Sequence, residues 1–233
     1  MLNPRMNELI GGLPDSDFEI LLPRLQLVSL LAGQLLYESG DRIDLVYFPV
    51  TALVAFAKEL SDGLSIDMAL IGSEGMVGLR GLTGVSLHRV HVASSGFAYQ
   101  ISIHDLQRAM SSVPALFRMY VHAVNRILKD VSIETACCHF HTIGQRLAKW
   151  LLIRHDHSGS SVMQVIHQNI ADSLGVRREA ITNALLKLPG IQSSRAQIEI
   201  KDRALLEDVC CECYFAQREA QPHQMALPFH KAV

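Results

Sequence analysis

The stretch "SLGVRREAITNALLKL", residues 173–188, decides how this chain is read. Gly175 divides it. "HQNIADSLG" before the division (167–175) and "RREAITNALLKL" after it (177–188) are two short helical patterns. A glycine between two such runs supplies a left-handed turn, and Pro189-Gly190 stops the second. On a helical wheel Ile181, Ala184, Leu185 and Leu188 share one face, the face to be buried. Glu179, Thr182 and Asn183 point away from it, with Arg178 at the N-terminal edge. The start of a helix carries partial positive charge and disfavours arginine. Arg177 and Arg178 at that place therefore point to an anion outside the chain.

Downstream, "IQSSRAQIEI" (191–200) reads as a small hairpin with Ser193-Ser194-Arg195 at its tip. Helix, glycine turn, helix and hairpin make the outline of a winged helix-turn-helix. In that motif the second helix enters the DNA major groove N-terminal end first. Arginine then takes guanine, glutamate accepts from cytosine and asparagine pairs with adenine. The charge distribution agrees. Residues 141–203 hold nine Lys/Arg and five Asp/Glu, a local +4 within a chain of net charge -2. Residues 204–214 read as a last short helix, and 216–233, with Pro222 and Pro228, as a flexible tail.

Upstream the period changes twice. Val113, Leu116, Phe117, Tyr120, Val121, Val124, Ile127, Leu128 and Val131 mark a long apolar stripe at helical spacing. A helix so long and one-sided packs well on a copy of itself. Leu116, Phe117, Tyr120, Val124, Ile127 and Val131 are the expected dimer contacts. A break falls near His139–Thr142, and "IGQRLAKWLLIRHD" (143–156) forms the next helix. From about 33 to 104 the pattern is of short strands. Asp62-Gly63 is a hairpin turn, Pro49 interrupts one strand, and a barrel-like roll or sandwich is expected. Residues 1–31 read as helical in pieces, with Asp15 or Ser16 as an N-cap. The glycines 72, 75, 78, 81 and 84 read as turns between strands, since the Lys-Ser/Thr ending of a phosphate loop is missing.

The chain has 233 residues, 49% of them hydrophobic, enough for two modest domains. No stretch is apolar enough over its length to act as a targeting or membrane-spanning segment, which is read as a cytoplasmic location. Five cysteines cluster as Cys137-Cys138 and Cys210-Cys211-x-Cys213, unsuited to disulfide stapling. Cys210, Cys211 and Cys213 read as packing. Cys137, Cys138 and His141 offer metal or redox chemistry as an alternative, with too few ligands unless a second chain adds more. His155 and His157 read as solvated. No hydrolase, metalloprotease or nucleotide-binding signature occurs, so no enzyme is expected.

The stretches "LLYESGDRIDLVYFP", "ALIGSEGMVGL", "FHTIGQRLAKWLLIRHD", "IADSLGVRREAITNAL" and "IEIKDRALLEDVCCECY" resemble the Crp/Fnr superfamily of bacterial transcription regulators over roughly residues 5–214. The resemblance implies an α+β architecture: a cyclic-nucleotide-binding-like β-roll (1–111), a dimerisation helix (112–140), a C-terminal winged helix-turn-helix (141–215) and a tail (216–233). It implies a homodimer on double-stranded DNA with an inverted-repeat operator, with RNA polymerase as a further partner and no membrane. Arg178, Glu179 and Asn183 fall where the family reads bases, and His167 and Gln168 where it holds phosphates. Arg177, Thr182, Lys187 and Arg195 complete the candidate DNA-binding set.

Several positions depart from the family pattern. Asn183 and Leu186 stand where basic residues are common, Ile166 replaces a Thr/Ser cap, and the segment before the wing is short. In the candidate effector pocket (Gly75, Met76, Gly78 and Arg89), Met76 occupies the carboxylate position and Val90 follows Arg89 in place of a hydroxyl. Without the carboxylate a ribose loses a charge-assisted hydrogen bond. Cyclic AMP is therefore not expected, no cofactor is predicted and the effector is open. A sensor that has lost DNA binding is the further alternative.

Overall fold

A computed structural model describes residues 2–82, 84–194 and 196–219. Arg195 and residues 220–233, most of the expected tail, lie outside the described residues. After a 3-10 turn at Pro4–Met6 come two short helices, α1 (Glu8–Gly11) and α2 (Asp15–Leu21). Pro14, not Asp15 or Ser16, is the residue before α2, and no side chain caps it.

Helical reading fails from Gln26 onward, because Gln26–Leu30 is a strand, β1. The helical run ends in a 3-10 turn at Leu22–Arg24, and Gln26–Leu30 gain a complete ladder against a later strand. The roll continues with β2 (Leu35–Tyr37), β3 (Leu45–Pro49), β4 (Leu53–Glu59), β5 (Ser65–Ile71), β6 (Arg89–Ser94) and β7 (Gly96–Ser102). Its strands form two antiparallel sheets, β1-β7-β3 and β2-β6-β4-β5. The β4–β5 hairpin turns at Gly63, whose φ of 83° is the left-handed conformation the turn requires. Tyr37, Val54, Ile71, Val77, Val90, Val92 and Ala98 fill the space between the sheets.

The outer face of the β1-β7-β3 sheet is covered by α1, α2, α3 (Ile103–Ser112) and the front half of α4 (Pro114–Phe140). Leu116, Met119 and Ala123 of α4 are buried there beside Phe48, Ile101 and Leu106. The helix ends where the sequence breaks. His141 takes extended dihedrals, and Thr142 caps α5 (Ile143–Ser158) through a reciprocal capping box with Gln145.

The C-terminal unit comprises α5, β8 (Val162–Gln164), α6 (His167–Leu174), α7 (Arg178–Leu185), β9 (Ile191–Ser194), β10 (Gln197–Ile200), α8 (Arg203–Val209) and α9 (Cys213–Arg218). Trp150, Leu151, Ile170, Ile181, Leu185, Ile198, Leu206 and Tyr214 form its core. The single helix expected over 204–214 is two helices, since Cys210 leaves helical dihedrals at ψ 163°. The fold is α+β: a β-roll, a long helix and a winged helix-turn-helix.

Candidate nucleic-acid interface

The recognition surface is built from α6, its turn and α7. Gly175 closes α6 at φ 64° and sends its N–H to Ala171. A Cβ on Gly175 would be strained at this φ and would also crowd Ile66 Cδ1 at 3.1 Å, so both terms favour glycine. Arg177 precedes α7 with extended dihedrals and supplies no side-chain cap. Ile181 and Leu185 anchor α7 in the core, with Leu188 just beyond it. Arg177, Arg178, Glu179 and Asn183 are exposed on the opposite side, as is Lys187 after the helix. No hydrogen bond or ion pair to a described residue engages any of these five side chains. Five free polar ends on one anchored helix and its flanks are available to a ligand.

Three expected contact residues have partners within the chain. Thr182 is half-buried, and its hydroxyl donates to the Arg178 carbonyl at 3.2 Å. That hydroxyl lies 3.0 Å from His167 Nδ1 and, already donating to the carbonyl, accepts from a protonated Nδ1. Thr182 thus braces His167 across the motif, a role its helical-wheel position did not reveal. Gln168 donates to Asp172 at 2.7 Å and lies on the same exposed ridge. Ile166 caps α6 without any side-chain bond, as its identity requires.

The turn of the motif rests on the roll. Ser173 Oγ accepts from Trp150 Nε1–H at 2.9 Å and donates to Asp67 of β5. Arg154 stacks on Trp150, 3.5 Å from the ring centroid, and reaches within 3.9 Å of Asp67. Burial pushes the Asp67 carboxyl up, while Arg154 and the Ser173 hydroxyl pull it back. Ile66 and Leu174 form a backbone bridge beside this network. His157 binds the Thr51 carbonyl at 2.8 Å and His155 meets Arg203 at 2.7 Å, so both histidines are engaged and not merely solvated.

The candidate effector residues separate. Gly75, Met76 and Gly78 are packed inside the roll, Met76 at 1% exposure. Arg89 lies elsewhere, paired with Glu59 at 2.8 Å and with Glu38 at 3.6 Å. It lines a cleft of about 680 Å³ between the roll and the C-terminal unit, together with His91, Arg154 and Asp172.

The stripe of α4 also divides. Leu116 is fully buried against the roll, Tyr120 donates to the Leu79 carbonyl at 3.0 Å, and Ile127 packs on the same core. These three of the expected dimer contacts serve the chain's own fold, because the stripe is wide enough to supply two faces. The outward face carries Phe117, Val121, Val124 and Leu128, exposed at 57, 40, 39 and 64%, followed by the half-buried Val131.

Residues 145–209 match the Crp-like helix-turn-helix domain. No curated protein matches this chain closely in sequence. Among solved structures, a regulator assigned to the Crp/Fnr family from Eubacterium rectale is similar at 16% identity, with a TM-score of 0.72 over 88% of this chain and 98% of that one. FixK2 from Bradyrhizobium japonicum is 20% identical, with a TM-score of 0.67 over 80% and 98%. The c-di-GMP-responsive regulator CLP from Xanthomonas campestris is 16% identical, with a TM-score of 0.62 over 81% and 100%. No helix among the described residues is long and apolar enough to cross a membrane.

Proposed function

We propose that this chain, which carries a Crp-like helix-turn-helix domain in the fold of the Crp/Fnr regulators, binds an inverted-repeat operator as a homodimer and regulates transcription without enzymatic activity. The observation that carries the reading is the N-terminal end of α7. Arg177, Arg178, Glu179 and Asn183 stand free there above a buried Ile181/Leu185 face. Glu179 accepts from a cytosine N4, Arg178 takes a guanine or a phosphate, and Asn183 meets an adenine. DNA phosphates also remove the electrostatic objection to arginines at this helix start. His167 Nε2, Gln168 and Lys187 border the helix and position the backbone.

Pairing of two chains runs along Phe117, Val121, Val124, Leu128 and Val131. Their 4-3-4-3 spacing is a heptad seam. Two copies joined there carry two recognition helices to successive major grooves. Cyclic AMP is not the effector in this reading. Arg89 is already held by two carboxylates, and Met76 supplies no ribose acceptor.

Selection of duplexes from a random DNA pool by the purified protein tests the function. Recovery of an inverted repeat whose binding weakens steeply with salt is expected. A pool that stays random, with and without cell extract as a source of effector, would overturn it.

A further inference from the structure

Four ligand-type side chains from two distant parts of the chain converge at the elbow between α4 and α5. Cys137 lies on the last turn of α4 and His141 just past its end. Cys211 and Cys213 come from the break between α8 and α9. One donor atom from each lies within 4.8 Å of all the others. The sulfurs of Cys137 and Cys211 are 3.5 Å apart, and the Cys213 sulfur is 3.6 Å from His141 Nδ1. Neighbouring ligands of a tetrahedral zinc-type ion with metal–sulfur bonds near 2.3 Å are separated by about 3.8 Å. The two closest spacings, 3.5 and 3.6 Å, lie just below that value, and none of the donors is more than 4.8 Å from another.

The surroundings match a coordination site better than a packed apolar cluster. All three cysteines are buried, and the His141 side chain is only 15% exposed. The other histidine nitrogen, Nε2, faces the exposed Glu212 carboxylate at 3.9 Å, beyond hydrogen-bond distance. Lys149, its side chain 3% exposed, pairs with Glu134 and reaches Cys137. Three thiolates around a divalent ion leave one excess negative charge, and the buried Lys149 ammonium lies beside it, shared with Glu134. Cys138, expected alongside Cys137, faces Glu134 and Arg146 and is outside the set. Cys210 donates to the Glu207 carbonyl and is likewise outside.

We propose that Cys137, His141, Cys211 and Cys213 bind one divalent, zinc-type metal ion in a closed Cys3His site. Binding transfers the remaining thiol protons to solvent. The four protein ligands leave no open position, so the ion is structural. It fastens the end of α4 to the last helices of the C-terminal unit and so fixes where α7 is held relative to α4. The metal site stands whether or not α7 reads DNA.

The test uses the full chain, reduced, stripped of metal and titrated anaerobically with Co²⁺, then competed with Zn²⁺. One equivalent of cobalt is expected, with strong tetrahedral ligand-field bands and thiolate charge-transfer absorption, both lost on adding one equivalent of zinc. C137S, C211S and C213S should each lose or strongly weaken these bands, while C138S and C210S keep them. Circular dichroism shows which variants remain folded, and the wild-type titration stands without them. No cobalt uptake, octahedral cobalt without thiolate absorption, or bands unchanged in a folded C211S or C213S would overturn the proposal. So would isolation of the chain from cells with Cys137 and Cys211 joined as a disulfide and no metal bound.

Discussion

Removing one hydroxyl, Ser173→Ala, tests whether the helix-turn-helix is latched to the roll. Ser173 Oγ accepts from Trp150 and donates to Asp67, and all three residues are buried. The alanine removes little volume but leaves the indole N–H with no acceptor, a cost of about 1–3 kcal/mol. It also takes a donor from Asp67, whose carboxyl burial already pushes up. Losing a hydrogen bond to a charged group costs about 1.5–3 kcal/mol, but protonation of Asp67 recovers part of it. A total of about 2–4 kcal/mol follows, a sizeable share of the roughly 5–15 kcal/mol that holds a typical domain. Trp150 is the one tryptophan of the chain, so its fluorescence in a urea titration reports on this network directly. With a slope of about 2 kcal/mol per molar urea, the midpoint should fall by about 1–2 M. A double-mutant cycle with Asp67→Ala should give a coupling of at least about 1 kcal/mol, because each residue serves the other across the two units. A loss below about 0.5 kcal/mol, or strict additivity, would refute the latch.

Glu179→Ala should weaken binding to the selected operator by about 1–3 kcal/mol and relax preference at one base pair of each half-site, measured on a panel of single-site duplex variants. An equal change on every duplex would contradict base reading. Leu128→Asp, at a position 64% exposed, should give a folded monomer by sedimentation equilibrium, whereas Leu116→Asp should unfold the chain, since Leu116 is fully buried. Equal behaviour of the two would refute the division of the α4 stripe into inner and outer faces. Burial raises the Asp130 carboxyl to about 6 from 3.8, despite the Arg126 guanidinium beside it, and its Oδ1 has no hydrogen-bond partner among the described residues. A raised folded-state pKa means this group's contribution is fully present below about pH 4 and is lost as pH rises through about 6. Asp130→Asn should therefore flatten the pH dependence of the thermal midpoint between pH 4 and 7, by on the order of 3 kcal/mol at most; an unchanged profile would show that Asp130 titrates normally.

The recognition unit was legible because local chemistry specifies it. Gly175 permits one turn, Pro189-Gly190 one stop, and the Ile181/Leu185 face one orientation. The break in the long helical run was legible for the same reason, since Thr142 and Gln145 form a capping box within four residues. What escaped the sequence depended on partners remote in the chain. Gln26–Leu30 became a strand because β7, some 70 residues later, offers it a ladder. The α4 stripe read as one surface because periodicity gives direction, not the identity of what covers each side. Arg89 and Met76 were placed in one candidate pocket by resemblance, yet the roll turns one outward to Glu59 and the other into the core.

The cysteines show the same principle in the opposite direction. Cys137 and His141 share a helical face by spacing, and two ligands are too few to hold an ion. The sequence has the other two, but within a run that reads as one continuous helix over 204–214. A continuous helix would place Cys211 and Cys213 about 200° apart around its axis, so the two could not face one point. The break at Cys210 changes that, because Cys211 and Cys213 then lie at a corner where both sulfurs reach Cys137 and His141. The corner is therefore the cause of the cluster. A substitution that restored helix through 210–212 should disperse the four donors without altering any of them. Replacing Cys210 by alanine raises helix propensity there and leaves every proposed ligand, and Glu212, in place. The predicted outcome is weaker cobalt uptake although all four proposed ligands are present. Uptake at full strength would mean that ion binding, and not local propensity, sets the corner.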